Sequence, residues 1–392
     1  MECNFNEFVD RRGTDSLKWG KISSLYGNDD ILPMWVADMD FKSCETVIEA
    51  FRERIDHGVF GYVQRDDAYY QAIIHWLESR HQWKIDKDWI VPMTGVVMGL
   101  SLAVRLFTEP GDTVIVQPPV YPPFFQVIQK NQRVVVENNL INEDGQYRMD
   151  FDDLEKKIKD GAKAIILCSP HNPVGRVWDR ETLEKLGNLC IEHGVLIISD
   201  EIHSDLVFES SHHTPIASLS ETIKNNTITL MAPSKTFNIA GLAASYAIVP
   251  NNELRQKCVA ELEAMAVSTT TIFSTLGLTT TYTHGGKWLD QLMPYVEENS
   301  HYAVDYIEKN IPQVKAYVPD GTYLLWLDFS ELGKDQQSVQ EALIQIGKVA
   351  LNSGSDYGQV GDGFFRLNIG CSREVLKEGL ERIKKAVVYL TE

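Results

Sequence analysis

No run of about 18 consecutive apolar residues occurs in the 392-residue chain, so no helix is expected to span a membrane. The amino-terminal stretch MECNFNEFVDRR has early acidic residues and no apolar centre, which is unlike a secretory signal. Cysteine is scarce. Cys3, Cys44, Cys168, Cys190, Cys258 and Cys371 are scattered and form no CxxC pair. That spacing argues against a metal site or a disulfide framework, and for idle thiols in a reducing cytoplasm. Positive charge is in the minority, with 37 Lys and Arg against 55 Asp and Glu, a net charge of −18. Nucleic acid and anionic membrane are therefore not expected as partners. A bound phosphate is not excluded, because a local pocket can be positive in an acidic protein. No internal repeat or low-complexity tract interrupts the chain.

What remains is the composition of a globular enzyme, with 44% hydrophobic and 23% charged residues. The length suggests one large domain and a smaller one. Short β-branched runs predict strands at Thr113–Gln117, Arg133–Glu137, Lys163–Cys168, Val195–Ser199 and Thr227–Met231. Helical periodicity marks Val96–Phe107, Pro122–Lys130, Phe151–Lys159 and Arg180–His193. This alternation predicts an α/β fold with a mostly parallel sheet covered by helices, and ligands at the carboxyl ends of the strands. After about Pro250 the pattern becomes helical, with Lys287–Asn310 as one long helix and Pro294 as a candidate break. Strand-like segments at Lys315–Val318, Tyr323–Phe329, Lys348–Leu351 and Phe364–Ile369 then precede a final helix, Arg373–Leu390. The expected division is an N-terminal segment 1–45 packing on the small domain, a large domain 46–285, and a linking helix with a small α+β domain over 286–392.

The chemistry-bearing residues fall at predicted strand ends. Lys235 follows Thr227–Met231 in Ala232-Pro-Ser234-Lys235-Thr-Phe-Asn238. Asp200 follows Val195–Ser199, and Asn172 follows Lys163–Cys168 in an Asn172-Pro173-Val-Gly175 turn. A lysine is ordinarily a solvated surface residue, and an Asp after a strand is ordinarily a turn or cap. Three successive strand ends bearing Asn, Asp and Lys point instead to a pyridine-type ligand. A carboxylate there keeps a ring nitrogen protonated, and an amide donates to a phenolic oxygen. Gly95 and Val96 open the helix Val96–Phe107, where free backbone N–H groups make a phosphate site. Tyr121, after Thr113–Gln117, suits stacking on a flat ring, although a core aromatic is the common alternative. His212 and His213 lie in a polar loop and are expected to be solvated.

The ordered set Gly95, Tyr121, Asn172-Pro173-x-Gly175, Asp200-x-x-His203, Ser234-Lys235 and Arg366 resembles the fold-type I enzymes that use pyridoxal 5'-phosphate (PLP), the aspartate-aminotransferase-like family. The resemblance covers nearly the whole chain. It implies that Lys235 carries PLP covalently, that Asp200 binds the pyridine nitrogen, and that Asn172 and His203 lie near the phenolic oxygen. It implies that Arg366 grips the substrate α-carboxylate as a bidentate fork. It also implies that Tyr62, in Phe60-Gly-Tyr62, reaches a phosphate across the interface of a homodimer. One departure stands out. The arginine common eight residues after the lysine is Ala243 here, and the hydroxyl common at 232 is Ala232. Ser234, Thr94 and the backbone near Gly95 and Val96 are then left to hold the phosphate.

The stretch Leu32-Pro-Met34-Trp35-Val36-Ala37-Asp38-Met39-Asp40-Phe41 resembles the MalY/PatB subgroup, the cystathionine β-lyase-like C–S lyases. That resemblance implies β-elimination from L-cystathionine or a related cysteine thioether, giving thiol, pyruvate and ammonia. Lys235 would move the Cα proton, Tyr121 would stack on the ring and assist proton transfer, and Trp35, Val36 and Ala37 would border the substrate. A class I/II aminotransferase is the alternative, since it shares every residue outside this stretch. A PLP-binding regulator without turnover is a third reading, disfavoured by the acidic charge.

Overall fold

The computed structural model describes residues 3–267 and 270–392. Its centre is a seven-stranded sheet of β1 (Ile90–Met93), β2 (Thr113–Val116), β3 (Val134–Glu137), β4 (Ala164–Cys168), β5 (Leu196–Asp200), β6 (Thr227–Met231) and β7 (Ser245–Ile248). The order across the sheet is β1-β7-β6-β5-β4-β2-β3. Only β7 runs against the others, antiparallel to β1 and β6. All five predicted strands are present. β1 and β7 are additions that the sequence pattern did not mark, because β1 contains Pro92. A proline is tolerated there because β1 is an edge strand.

The central strands read as unbroken apolar runs because both faces are covered. Val114, Val116, Ile166 and Ile198 pack on one side with the helix Val96–Phe107. Their alternates Ile115, Ile165, Leu167 and Ile197 pack on the other with Leu183, Leu186 and Cys190 of the helix Arg180–His193. The period of two along each strand divides its side chains between these layers.

A second, antiparallel sheet holds β8 (Lys315–Ala316), β9 (Leu324–Asp328), β10 (Asn352–Ser353) and β11 (Phe364–Asn368), in the order β8-β9-β11-β10. The helix Gly286–Asn310 leads into it and runs unbroken through Pro294. Leu289, Leu292 and Val296 on either side of the proline are buried in the same core, and this packing keeps the helix continuous. The N-terminal segment joins this end of the molecule. Leu32–Pro33 pairs in parallel with Val349–Ala350, and the Asn368 amide donates to the Met34 carbonyl at 2.9 Å. Among the described residues no helix is long and apolar enough to cross a membrane.

One close approach ties the two sheets together. The turn after β5 runs past Gly321, and the Thr322 amide donates to the Leu206 carbonyl at 2.6 Å. A Cβ on Gly321 would stand 2.4 Å from the Leu206 carbonyl oxygen and 3.0 Å from Val207 Cα, both of them backbone atoms. Gly321→Ala should therefore destabilise the protein by about 1–3 kcal/mol, as overpacking does, and lower its melting temperature. An unchanged thermal transition would contradict this account of the contact.

Candidate active site

The carboxyl ends of β1, β2, β4, β5 and β6 open into one cavity of about 200 Å³. Gly95, Val96, Val97, Tyr121, Cys168, Asn172, Asp200, Ile202, His203, Ser234 and Lys235 line it, with Ala37 from the N-terminal segment. Each of these cavity residues except Ala37 follows or ends a strand, and the parallel strand direction brings them together. Asp200 is itself the last residue of β5, one position inside the strand end expected from sequence. Lys235 sits in the single-turn helix Pro233–Thr236 directly after β6.

The electrostatics of the cavity follow from its dryness. The Lys235 amine is densely surrounded by protein, and this burial, with the neighbouring Arg366 cation, lowers its pKa to about 8. Asp200 and Asp38 oppose that shift. The amine donates to the Ala37 carbonyl at 2.7 Å. Asp200 is almost wholly buried and its pKa is pushed up to about 7 by burial. Its carboxyl accepts from the Ile202 amide at 3.2 Å. Burial, then Lys235 and Arg366, depress His203 to about 3, so it is a neutral ring. Its Nδ1 is buried without a hydrogen-bond partner among the described residues. Tyr121 is raised above the ordinary phenol value, chiefly by burial.

Arg366 lies on β11 beside the cavity, buried. Nη1 donates to Asn172 Oδ1 at 3.0 Å, and Nη2 to the Trp35 carbonyl at 2.8 Å and Asn352 Oδ1 at 2.7 Å. Its guanidinium lies 5.3 Å from the Tyr357 ring centroid. Trp35 faces this site through its carbonyl. Its indole packs with Ile22, Ile31, Ile344 and Ala350 and donates to the Lys18 carbonyl at 3.1 Å. Val36 likewise acts through its backbone, accepting from Asn368 Nδ2 at 2.6 Å. Tyr62 is not among the cavity residues. It is fully exposed, beside a groove with Ile272 and Thr275.

Behind Lys235 lies a second buried cluster. Asp205 accepts from Thr236 Oγ1 at 2.7 Å and Trp76 Nε1 at 3.0 Å, and lies 2.8 Å from His81 Nε2. Through Thr236 it pins the turn that carries the lysine. His213, expected to be solvated, is buried instead. Its Nε2 lies 2.9 Å from Glu201 Oε2, and Glu201 also accepts from Ser199 Oγ at 2.8 Å. A buried carboxylate draws the polar ring inward, because an unpaired charge there is costly. His212 remains exposed as expected. Sequence reasoning also missed Tyr323, whose hydroxyl donates to the Ala37 carbonyl at 2.9 Å, and Asn352 and Asn368. Tyr323 and Asn368 fell inside strand-like segments and Asn352 one residue beyond Lys348–Leu351, and which face each presents depends on the sheet register.

The residues present fit an anionic, cationic-ring ligand such as PLP. Among the described residues, no cation lies within hydrogen-bonding distance of the buried Asp200 carboxyl, and His203 Nδ1 has no hydrogen-bond partner. The N-terminus of the 12-residue helix Val96–Phe107 opens on the same cavity, with Gly95 as its cap and open space where a Cβ would stand.

Fold and site together define a PLP-type α/β enzyme, and comparison with known proteins agrees. Residues 29–383 match aminotransferase class I and II, and the chain belongs to that family, within its MalY/PatB group. The cystathionine β-lyase PatB of Bacillus subtilis is 48% identical over 385 residues, covering 98% of this chain and 100% of that one. Protein MalY of Escherichia coli is 35% identical over 387 residues, 98% of each chain. The crystal structure of cystalysin from Treponema denticola, which contains PLP, superposes with a TM-score of 0.97 at 37% identity over 100% of both chains. The fold-type I architecture expected from sequence is thus the one observed.

The shifted lysine is measurable without any ligand. Acylation of Lys235 by a small amine reagent, followed by peptide mass spectrometry on cofactor-free protein, should rise with pH and level off above about 8. Exposed lysines keep climbing towards ~10.4. A Lys235 midpoint near the exposed value would refute the desolvated environment.

Proposed function

We propose that this protein is a PLP-dependent C–S lyase that eliminates thiol from L-cystathionine or related cysteine thioethers, leaving pyruvate and ammonia. The observation that carries the reading is the backbone ledge Trp35–Ala37. It belongs to the stretch resembling the cystathionine β-lyases and contacts both Arg366 and Lys235. The full-length similarity to a protein named cystathionine β-lyase supports the same reaction.

Bound PLP supplies an electron-withdrawing ring that delocalises the electron pair left at Cα when its proton is removed. The chain's residues do the rest. Arg366 holds the substrate carboxylate by charge-assisted hydrogen bonds. Lys235, whose lowered pKa of about 8 makes the neutral amine accessible at mildly alkaline pH, takes the Cα proton. Asp200 would hold the ring nitrogen protonated, a cation for its otherwise unpaired carboxyl. Asn172 and His203 would serve the phenolic oxygen, and Tyr121 would stack on the ring and assist proton transfer. The N–H groups at Gly95 and Val96, with Ser234, would take the phosphate, and a second copy's Tyr62 would complete that cup in a homodimer. The electron pair at Cα then expels the Cβ substituent as thiolate, which takes a proton. The 2-aminoacrylate released hydrolyses to pyruvate and ammonia. Six unbridged cysteines suit a cytoplasmic home.

Incubation with L-cystathionine should yield pyruvate and homocysteine with no keto-acid acceptor, and Lys235→Ala should abolish both products. Amino transfer that needs a keto acid, without pyruvate, would make the protein an aminotransferase instead.

Asp200→Asn separates catalysis from stability. It should lower kcat by about 10²-fold or more, since the ring loses its proton-holding partner. In the cofactor-free protein the sign is opposite. A carboxyl raised from 3.8 to about 7 keeps a proton that the unfolded chain has released, so the group weakens the fold as pH rises across that window. The variant lacks this loss. Its melting temperature should gain on the parent's between pH 4 and 7, and a constant difference would count against the assignment.

A further inference from the structure

Two acids of the Leu32–Phe41 stretch, Asp38 and Asp40, play no part in the chemistry above. Both are held from the N-terminal side. Arg11 forms a bidentate pair with Asp38, Nη1 to Oδ1 at 2.8 Å and Nη2 to Oδ2 at 2.6 Å. The same Nη1 reaches Asp40 Oδ1 at 2.8 Å and the Met39 carbonyl at 3.2 Å. Lys18, almost completely buried, donates to Asp40 Oδ2 at 2.7 Å, and Trp19 Nε1 donates to Asp40 Oδ1 at 3.0 Å. Two cations and two anions thus close a neutral cluster. The geometry is of the kind that makes partly buried charge pairs favourable, with a planar fork and full use of the acceptors.

The cluster adjoins three consecutive carbonyls that all point at site groups. The Trp35 carbonyl accepts from Arg366 at 2.8 Å, and the Val36 carbonyl from Asn368 at 2.6 Å. The Ala37 carbonyl accepts from Lys235 at 2.7 Å and Tyr323 at 2.9 Å. Asp38 follows Ala37 directly, and its charge is felt at the Lys235 amine. Lys18 Nζ also stands 3.9 Å from Asp38 Oδ1. Arg11 thus holds in a bidentate pair a carboxylate whose charge reaches the lysine of the site.

We propose that Arg11 is a positioning residue for the reaction. It fixes the Trp35–Ala37 ledge, which accepts from Arg366 and Lys235, and it keeps the Asp38 carboxylate off the lysine. The substrate named in the test rests on the lyase reading, but the geometry does not.

The test uses Arg11→Gln, Arg11→Lys and the double variant Arg11→Gln/Asp38→Asn, all in the full chain. In the cofactor-free proteins, hydrogen exchange is followed at the amides of residues 38–40. In the loaded enzymes, kcat and KM for L-cystathionine are measured, with the affinity for an unreactive α-methyl amino acid. Melting temperatures are recorded throughout. Arg11→Gln should speed exchange at 38–40 by about tenfold or more. It should lower kcat/KM by about tenfold or more, mainly through KM, because a shift of the ledge misplaces the carboxylate grip. Arg11→Lys should recover part of this, and removing the Asp38 charge in the double variant should recover part of the loss in Arg11→Gln. Unchanged exchange overturns the proposal. So does a loss that follows melting temperature alone and is not relieved by Asp38→Asn. If the unmodified protein makes no pyruvate, the lyase reading fails, while exchange and analogue affinity still decide the role of Arg11.

Discussion

Lys235 and Asp200, at the strand ends, and Arg366 beside them are crowded by protein, and the rest of the site answers to that loss of hydration. In water each charge would be hydrated. Here the lysine gives up part of its hold on its proton and the aspartate strengthens its own. Arg366 cannot adjust in that way, so it is surrounded by fixed acceptors from Asn172, Asn352 and Trp35. His203 adapts by staying neutral. The site is a set of groups whose protonation is set by what the cavity leaves out.

Backbone carbonyls are well suited to such a place. They accept hydrogen bonds without carrying a titrating charge, so Trp35 and Ala37 can face two cations without neutralising them. They need to be held rigidly, and side-chain amides do this from two directions. Asn238 accepts from the Met39 amide at 2.9 Å and donates to the Met39 and Phe41 carbonyls, while Asn368 donates to those of Val36 and Asp38. A parallel arrangement supports the lysine from behind, where Asp205 gathers Thr236, Trp76 and His81.

Much of this was legible in the sequence, for identifiable reasons. A strand buried on both faces leaves an unmistakable apolar run, and a parallel sheet puts the next polar residue at the ligand end. Asn172, Asp200 and Lys235 could therefore be found by position. Contacts that depend on register were not legible. Arg366 and Asn352 are partners because β10 and β11 pair in one frame, and nothing local in Asn352-Ser353 says which frame. Pro92 disguised an edge strand. His213 does lie in a loop, but nothing local announces its buried partner Glu201, twelve residues earlier. Trp35 invited a reading through its indole, whereas the fold turns the ring away and uses the carbonyl.

The sheet and the ledge differ in when they can form during synthesis. Strands β2 to β6 lie within residues 113–231, so most of the cavity wall can assemble while the chain is still emerging. The ledge cannot. Its bonds join Ala37 to Lys235, Trp35 to Arg366 and Val36 to Asn368, across separations of 198, 331 and 332 residues. Such distant closures come late, since the cost of ordering the intervening chain precedes their reward. The segment that carries Arg366 and Asn368 thus closes a ledge whose other side was made more than three hundred residues earlier.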